Sequence, residues 1–289
     1  MSARSLLFVP GDSDRKIAKC ADSQADIVIL DLEDSVAPQH KGAARQRVRE
    51  YLTSTTRRVP QLWVRINPLG TPEAMEDLLT VLHGLPDGIV QPKVRSPDDV
   101  MVLAQHLVDF EQRHGLQSGD TPILPIATET PQAVFNLGSY ARCGARLYGL
   151  TWGAEDLSTA IGATGNKETD GSWTPPFQLA RSLCLFGASA AGVPAIDTIQ
   201  ADFKDDAALR ISCTQARRDG FAGKLAIHPD QVAVINECFT PTAAEIAVAR
   251  RIVELFAQNP GVAALALDGK MVDIPHLRQA QQILDRAGR

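Results

Sequence analysis

Carboxylates recur in this chain where an apolar run gives way to a loop, and the clearest case lies in the stretch Ile123–Ser158. There one apolar run ends in Glu129 and a second ends in Glu155 and Asp156. If both runs are neighbouring parallel strands joined by a helix over Pro131–Arg142, their carboxyl ends lie about 4.8 Å apart. Two carboxylates at one rim can seat a hard divalent cation, and a small oxygen set that leaves room for water and substrate suits Mg²⁺. Helix capping is the competing use of the same residues, because Glu129 precedes a Thr-Pro helix start and Asp156 precedes a helical turn. Spacing pairs Glu129 with Glu155 as readily as with Asp156.

Other strand ends carry charge too: Asp31 with Glu33 and Asp34, then Arg65, Lys93, Asp197 and His228. Loops elsewhere are filled with Ser, Thr, Gly and Pro, so solvation explains these charges singly better than it explains the set. Arg65 ends the apolar run LWVRI, where a guanidinium needs a partner. That partner is a ligand carboxylate, a developing enolate oxygen, or Asp31 or Glu33 in an ion pair. No two of the six histidines have metal-ligand spacing, and no nucleophile elbow or Walker motif occurs, so a covalent nucleophile is not expected. His228, before Pro229, reads as a helix cap.

The elements that must place these groups alternate. Short apolar runs at Ser5–Val9, Ile27–Leu30, Leu62–Ile66, Gly88–Gln91, the two runs already described, Val193–Ile196 and Lys224–Ile227 are each followed by a helical pattern. Eight such units, with no glycine-rich dinucleotide fingerprint after the first, predict an α/β fold, a (β/α)₈ TIM barrel. We place the barrel at 1–238 and a C-terminal helical extension at 239–289. A polar insertion at Ala163–Pro176 is long enough to be a lid or binding loop.

Composition narrows the classes further. With 44% hydrophobic and 22% charged residues and no apolar run near the roughly 20 needed to span a bilayer, no membrane association is expected. The N-terminal apolar segment is too short for a secretory signal, and Cys20, Cys143, Cys184, Cys213 and Cys238 form no C-x-x-C pair; a cytoplasmic protein with reduced thiols is expected. A net charge of −5 gives no general attraction to nucleic acid, so an anionic ligand needs a local basic cluster.

The segments LLFVPGDSDRKIAKC, VILDLEDSVAPQHKGAAR, WVRINPLGTP, ATETPQAV, LTWGAEDLS, KLAIHPDQV and DGKMVDIPHLRQA occur in order over almost the whole chain. Together they resemble the successive motifs of the citrate lyase beta subunit family, which includes malyl-CoA and citramalyl-CoA lyases, within the HpcH/HpaI aldolase superfamily. The resemblance implies a Mg²⁺-dependent barrel enzyme that cleaves or forms a carbon–carbon bond in a 3-hydroxy-3-carboxy acyl-CoA. The products are a 2-oxo acid and acetyl-CoA or a related acyl-CoA. Thioester hydrolysis, aldol cleavage of a free oxo acid, and an acyl-CoA or acyl-carrier binding subunit are the alternatives.

By the same resemblance Glu129 and Asp156 hold the metal, which selects Asp156 over Glu155, and Arg65 lies beside the substrate. Asp31, Glu33 and Asp34 hold metal-bound waters and orient Arg65. Asp273 crosses from a neighbouring subunit to transfer a proton, which implies a homo-oligomer, a trimer or dimer of trimers; by itself Asp273 reads as an N-cap of the last helix. Polyanionic CoA is assigned to Arg15, Lys16 and Lys19 on the first helix and to Lys93, although a helix cluster of this kind also serves as a solvated face.

Overall fold

The computed structural model describes residues 3–55 and 60–288. They fall into two compact units, one ending at Asn236 and the other beginning at Glu237. The first alternates strands and helices: β1 (Ser5–Pro10), α1 (Asp14–Ala18), β2 (Ile27–Asp31), α2 (Lys41–Ser54), β3 (Gln61–Arg65), α3 (Pro72–Val81), β4 (Gly88–Gln91) and α4 (Pro97–Arg113). It continues with β5 (Ile123–Pro125), α5 (Pro131–Asn136), β6 (Leu150–Thr151), α6 (Ala154–Ile161), α7 (Pro175–Ala190), β7 (Ala195–Asp197), α8 (Asp206–Asp219) and β8 (Gly223–Ala226), and the boundary falls within α9 (Pro229–Phe239).

All eight strands are parallel, in the order β5-β4-β3-β2-β1-β8-β7-β6. Parallel bridges Ile123↔Leu147 and Ile126↔Thr151 join the two ends of that order, so the sheet closes into the expected barrel. Leu6, Ile29, Trp63, Val90, Leu124 and Leu225 belong to one central cluster, while Leu7 and Val28, which alternate with them, are equally buried. Burial on both faces is why the strands read as continuous apolar runs rather than alternating ones.

Helix starts repeat one local device. Thr71, Ser96 and Thr130 each accept a hydrogen bond from a first-turn N–H and each is followed by proline, whose fixed φ suits the first helical position.

Two elements differ from expectation. The helix over Pro131–Arg142 is α only to Asn136 and continues as tighter 3₁₀ turns over Leu137–Arg146, interrupted at Gly144 with φ 69°. Glycines at 138 and 144 weaken the helix, and α7 approaches so closely that a Cβ on Gly187 would lie 2.4 Å from the Leu137 carbonyl oxygen. The sixth strand stops at Thr151, so Glu155 and Asp156 occupy the first turn of α6 rather than a strand end.

The second unit contains α10 (Ala243–Gln258), an antiparallel hairpin of β9 (Ala264–Leu267) and β10 (Lys270–Asp273), and α11 (Ile274–Ala287). The extension is therefore not wholly helical. Asp268 and Gly269, at φ 51° and 75°, form the tight hairpin turn that an Asp-Gly pair favours. Helices α9 and α10 have 11 and 16 residues, each short of the roughly 20 that a membrane-spanning helix needs.

Gly88 shows how little room the barrel leaves: a Cβ there would lie 2.5 Å from the Trp63 indole, itself 1% exposed. Gly88→Ala is expected to cost about 1–3 kcal/mol of stability through overpacking, read as a lower denaturant midpoint at unchanged slope.

Candidate active site

Strand register brings the first partners together, because Asp31 at the end of β2 lies opposite Arg65 at the end of β3. Arg65 donates Nε to Asp31 Oδ1 and Nη2 to Oδ2, both at 2.7 Å, and its Nη1 is 3.1 Å from Glu33 Oε2. The guanidinium also stacks over Phe8 at 4.6 Å. Asp31 is fully buried; burial pushes its carboxyl up, but the Arg65 charge together with hydrogen bonds from Arg65, Ser35 and Glu33 outweighs this and holds it below the usual range. The same carboxylate accepts the N–H groups of Glu33 and Ser35 and so shapes the acidic loop. The ion pair foreseen for Arg65 is therefore present at the strand ends.

Behind this loop lies a network without a sequence motif of its own. Asp77 on α3 is fully buried and accepts from Asn67 N at 2.8 Å, Asn67 Nδ2 at 2.7 Å and Arg45 Nε at 3.0 Å. Asn67 Nδ2 also donates to the Leu32 carbonyl, and Lys41 Nζ donates to the Leu32 and Glu33 carbonyls. In the sequence Asn67 reads as a strand breaker before Pro68. Its place directly after a buried strand was the only trace of this second use.

Across the mouth, β5 and β6 bring Glu129 and Asp156 into one electrostatic neighbourhood. Thr130, not Glu129, caps α5, so Glu129 is not committed to capping. Glu155 accepts from Asn166 Nδ2 at 3.0 Å, whereas Asp156 lies 3.6 Å from Lys93 Nζ. Local geometry thus separates the two residues that spacing could not. A Cβ on Gly153 would fall 2.8 Å from Glu129 Cγ, so glycine leaves that carboxylate its place.

Lys93 ties the two halves of the site. Its N–H donates to Glu129 Oε2 at 2.5 Å, and its Nζ pairs with Glu33 and lies 3.1 Å from Asp34. Burial pushes Glu129 well above the ordinary carboxyl range, reinforced by the charges of Asp156 and Glu33. Burial likewise raises Glu33 to about 7 despite Arg65 and Lys93. A cation relieves such a cluster directly. Among the described residues no three His, Cys, Asp or Glu side chains converge as a ligand set; Glu129 and Asp156, with waters, could hold Mg²⁺, which takes few protein carboxylates.

The remaining expected residues divide. Arg15, Lys16 and Lys19 line a cavity of about 660 Å³ together with Phe8, Pro10 and His228; Lys93 is not part of its lining. Phe8 thus touches both this cavity and Arg65. Asp197 is buried in a network with Trp152, Arg181 and Lys224, away from the acid cluster's partners. His228 accepts the Asp230 N–H at the start of α9 and stacks on Phe203. Asp273, in the second unit, caps α11 and exchanges a capping box with His276.

The family model for HpcH/HpaI aldolase/citrate lyase matches residues 4–229, and one described as a carbon–carbon bond lyase of the TIM-barrel fold matches residues 194–289. The chain is 32% identical to the mitochondrial citramalyl-CoA lyase of Rattus norvegicus, covering 98% of this chain and 86% of that protein. It is also 32% identical to citrate lyase subunit beta of Escherichia coli, covering 98% and 93%. The crystal structure of the Mycobacterium tuberculosis protein CitE in complex with magnesium, acetoacetate and coenzyme A superposes with a TM-score of 0.82 at 32% identity, covering 100% of this chain and 99% of that one. Ordered motifs, a closed barrel and a carboxylate pair beside a clamped arginine agree with these likenesses: the chain belongs to the HpcH/HpaI aldolase/citrate lyase family of TIM-barrel carbon–carbon lyases.

Proposed function

We propose that this enzyme is a Mg²⁺-dependent lyase of a 3-hydroxy-3-carboxy acyl-CoA of the citramalyl-CoA, malyl-CoA or citryl-CoA type. It releases a 2-oxo acid and acetyl-CoA or a related acyl-CoA. The observation that carries the reading is Glu129 within electrostatic reach both of Asp156 and of an Arg65 already clamped by Asp31 and Glu33. The likeness to a citramalyl-CoA lyase and to a structure holding magnesium and coenzyme A supports it.

Glu129 and Asp156 would hold Mg²⁺, which when bound polarises the substrate carboxylate and hydroxyl and eases loss of the hydroxyl proton. As that proton leaves, the carbon–carbon bond breaks, the oxygen becomes the carbonyl of the 2-oxo acid, and the electron pair passes to the acyl-CoA fragment as an enolate. Arg65 is fixed before the reaction by two carboxylates, so it meets developing negative charge without reorganising. The cavity edged by Arg15, Lys16 and Lys19 would take the polyanionic CoA, with Phe8 leading from it to Arg65. We assign proton transfer to Asp273, which would take the hydroxyl proton as a carboxylate and return it to the enolate carbon; it is delivered by the extension (239–289) of a neighbouring subunit in a homo-oligomer, and we place the enzyme in the cytoplasm.

Glu129→Ala and Asp156→Ala are expected to abolish Mg²⁺-dependent turnover while the circular dichroism spectrum and unfolding midpoint stay near those of the parent. Unchanged activity in both would overturn the metal assignment. Substrates for the assay are malyl-, citramalyl- and citryl-CoA, with the 2-oxo acid as readout; free CoA appearing without a 2-oxo acid would mean hydrolysis instead.

Asp273→Asn should lower kcat more than it raises KM. Mixing it with Arg65→Ala under verified subunit exchange should restore part of the activity, and the absence of recovery would rule out a shared site.

The raised Glu33 predicts a pH signature in metal-free protein. Between its ordinary value near 4.5 and about 7 the native state keeps a proton that the unfolded chain has lost, so this group's contribution falls as pH rises through that window and is level above it. Glu33→Gln removes that dependence; denaturant midpoints measured from pH 4.5 to 8 in parent and variant should diverge accordingly, and parallel curves would contradict the assignment.

A further inference from the structure

Lys93 contacts both carboxylates of the proposed metal pair and the acidic loop. Its backbone N–H donates to Glu129 Oε2 at 2.5 Å. Its Nζ pairs with Glu33, lies 3.1 Å from Asp34 and 3.6 Å from Asp156. The residue holds this position at φ 51°, a left-handed conformation uncommon for a side chain larger than glycine. Backbone strain of this kind persists where the surroundings over-determine it, and here the surroundings are the carboxylates themselves.

Charge on the page gives the ammonium its task. Among the described residues Asp31, Glu33, Asp34 and Asp156 form ion pairs with Arg65 and Lys93 alone, and Arg65 is committed to Asp31 and Glu33. Lys93 is therefore the cation closest to Asp156 and a direct competitor for its charge. A compact ammonium on a flexible stem is suited to this, since it makes three donors available without the fixed fork of a guanidinium.

We propose that Lys93 is a positioning residue with two linked effects: it orients Glu33 and Asp34 toward the metal pair, and its positive charge holds the affinity for Mg²⁺ down. This rests on the metal reading above. Removing the charge while keeping the stem leaves the carboxylates facing each other, so the cation binds more tightly; the acidic loop loses its orienting partner, so turnover slows. A lysine serving only to brace the fold would give the opposite sign for affinity, because a loosened pair binds the ion less well.

The test is Mg²⁺ binding to substrate-free protein by titration calorimetry with the metal alone, on the parent, Lys93→Met, Lys93→Arg and Asp156→Ala, with unfolding midpoints recorded for each. Lys93→Met should bind Mg²⁺ about tenfold more tightly, with kcat reduced at saturating metal. Lys93→Arg, which keeps the charge, should stay within about twofold of the parent in affinity. If Lys93→Met does not fold, Lys93→Gln carries the same expectation. Unchanged or weaker affinity in the folded charge-removing variant overturns the proposal while leaving the metal pair standing. A parent that binds no Mg²⁺, or an Asp156→Ala variant that binds it normally, overturns the metal reading and the proposal together.

Discussion

Buried carboxylates crowded at one end of a parallel barrel are the constraint around which this molecule is arranged. Asp31, Glu33 and Glu129 are nearly excluded from water, where an unpaired charge is costly. Each meets that cost differently. Asp31 has the bidentate guanidinium of Arg65 and stays ionised below the usual range. Glu33 has shares of Arg65 and Lys93 and is nevertheless raised to about 7. Glu129 has a backbone N–H and like-charged neighbours, and burial raises it well above the ordinary range. Asp31, paired to ionise, thus differs from Glu33 and Glu129, which burial inclines to keep their protons.

Stiffness behind the site follows from the same constraint. A buried ion pair favours neither function nor stability unless its remaining lone pairs are satisfied. Here the acidic loop is fastened on one side by Asp31 accepting the Glu33 and Ser35 N–H groups, and on the other by Asn67 and Lys41 gripping the Leu32 and Glu33 carbonyls. Asp77 and Arg45 then compensate each other beneath Asn67. Arg65 is thus preorganised by contacts that ultimately rest on α2 and α3, elements remote in sequence from Glu129 and Asp156 on the β5 and β6 side. Preorganised donors contribute more in a site of this kind than donors that must be rotated into place.

The barrel was legible in the chain because its causes are local and periodic. Short apolar runs buried on both faces, Thr-Pro and Ser-Pro helix starts, and charges at strand ends each leave a mark within a few residues. Glu129, Arg65 and Asp31 are legible as charges near strand ends for that reason. The helix after Glu129 was misjudged in length, since its end at Asn136 depends on Gly187 of α7 packing against Leu137, a contact with no local mark.

What sequence by itself determined was the order of elements, the barrel class, and which charges would sit at its mouth, because strand period and turn chemistry act over neighbouring residues. Only the tertiary structure decided how those charges are shared. It turned Glu155 toward Asn166 and Asp156 toward Lys93, set Lys93 among carboxylates rather than beside Arg15, Lys16 and Lys19, and recruited Asn67 and Asp77 behind the acidic loop. Closure of the barrel brings β5 against β6 and β2 against β3, and electrostatic partnership falls off over a few ångströms of space, a distance that separation along the chain does not encode.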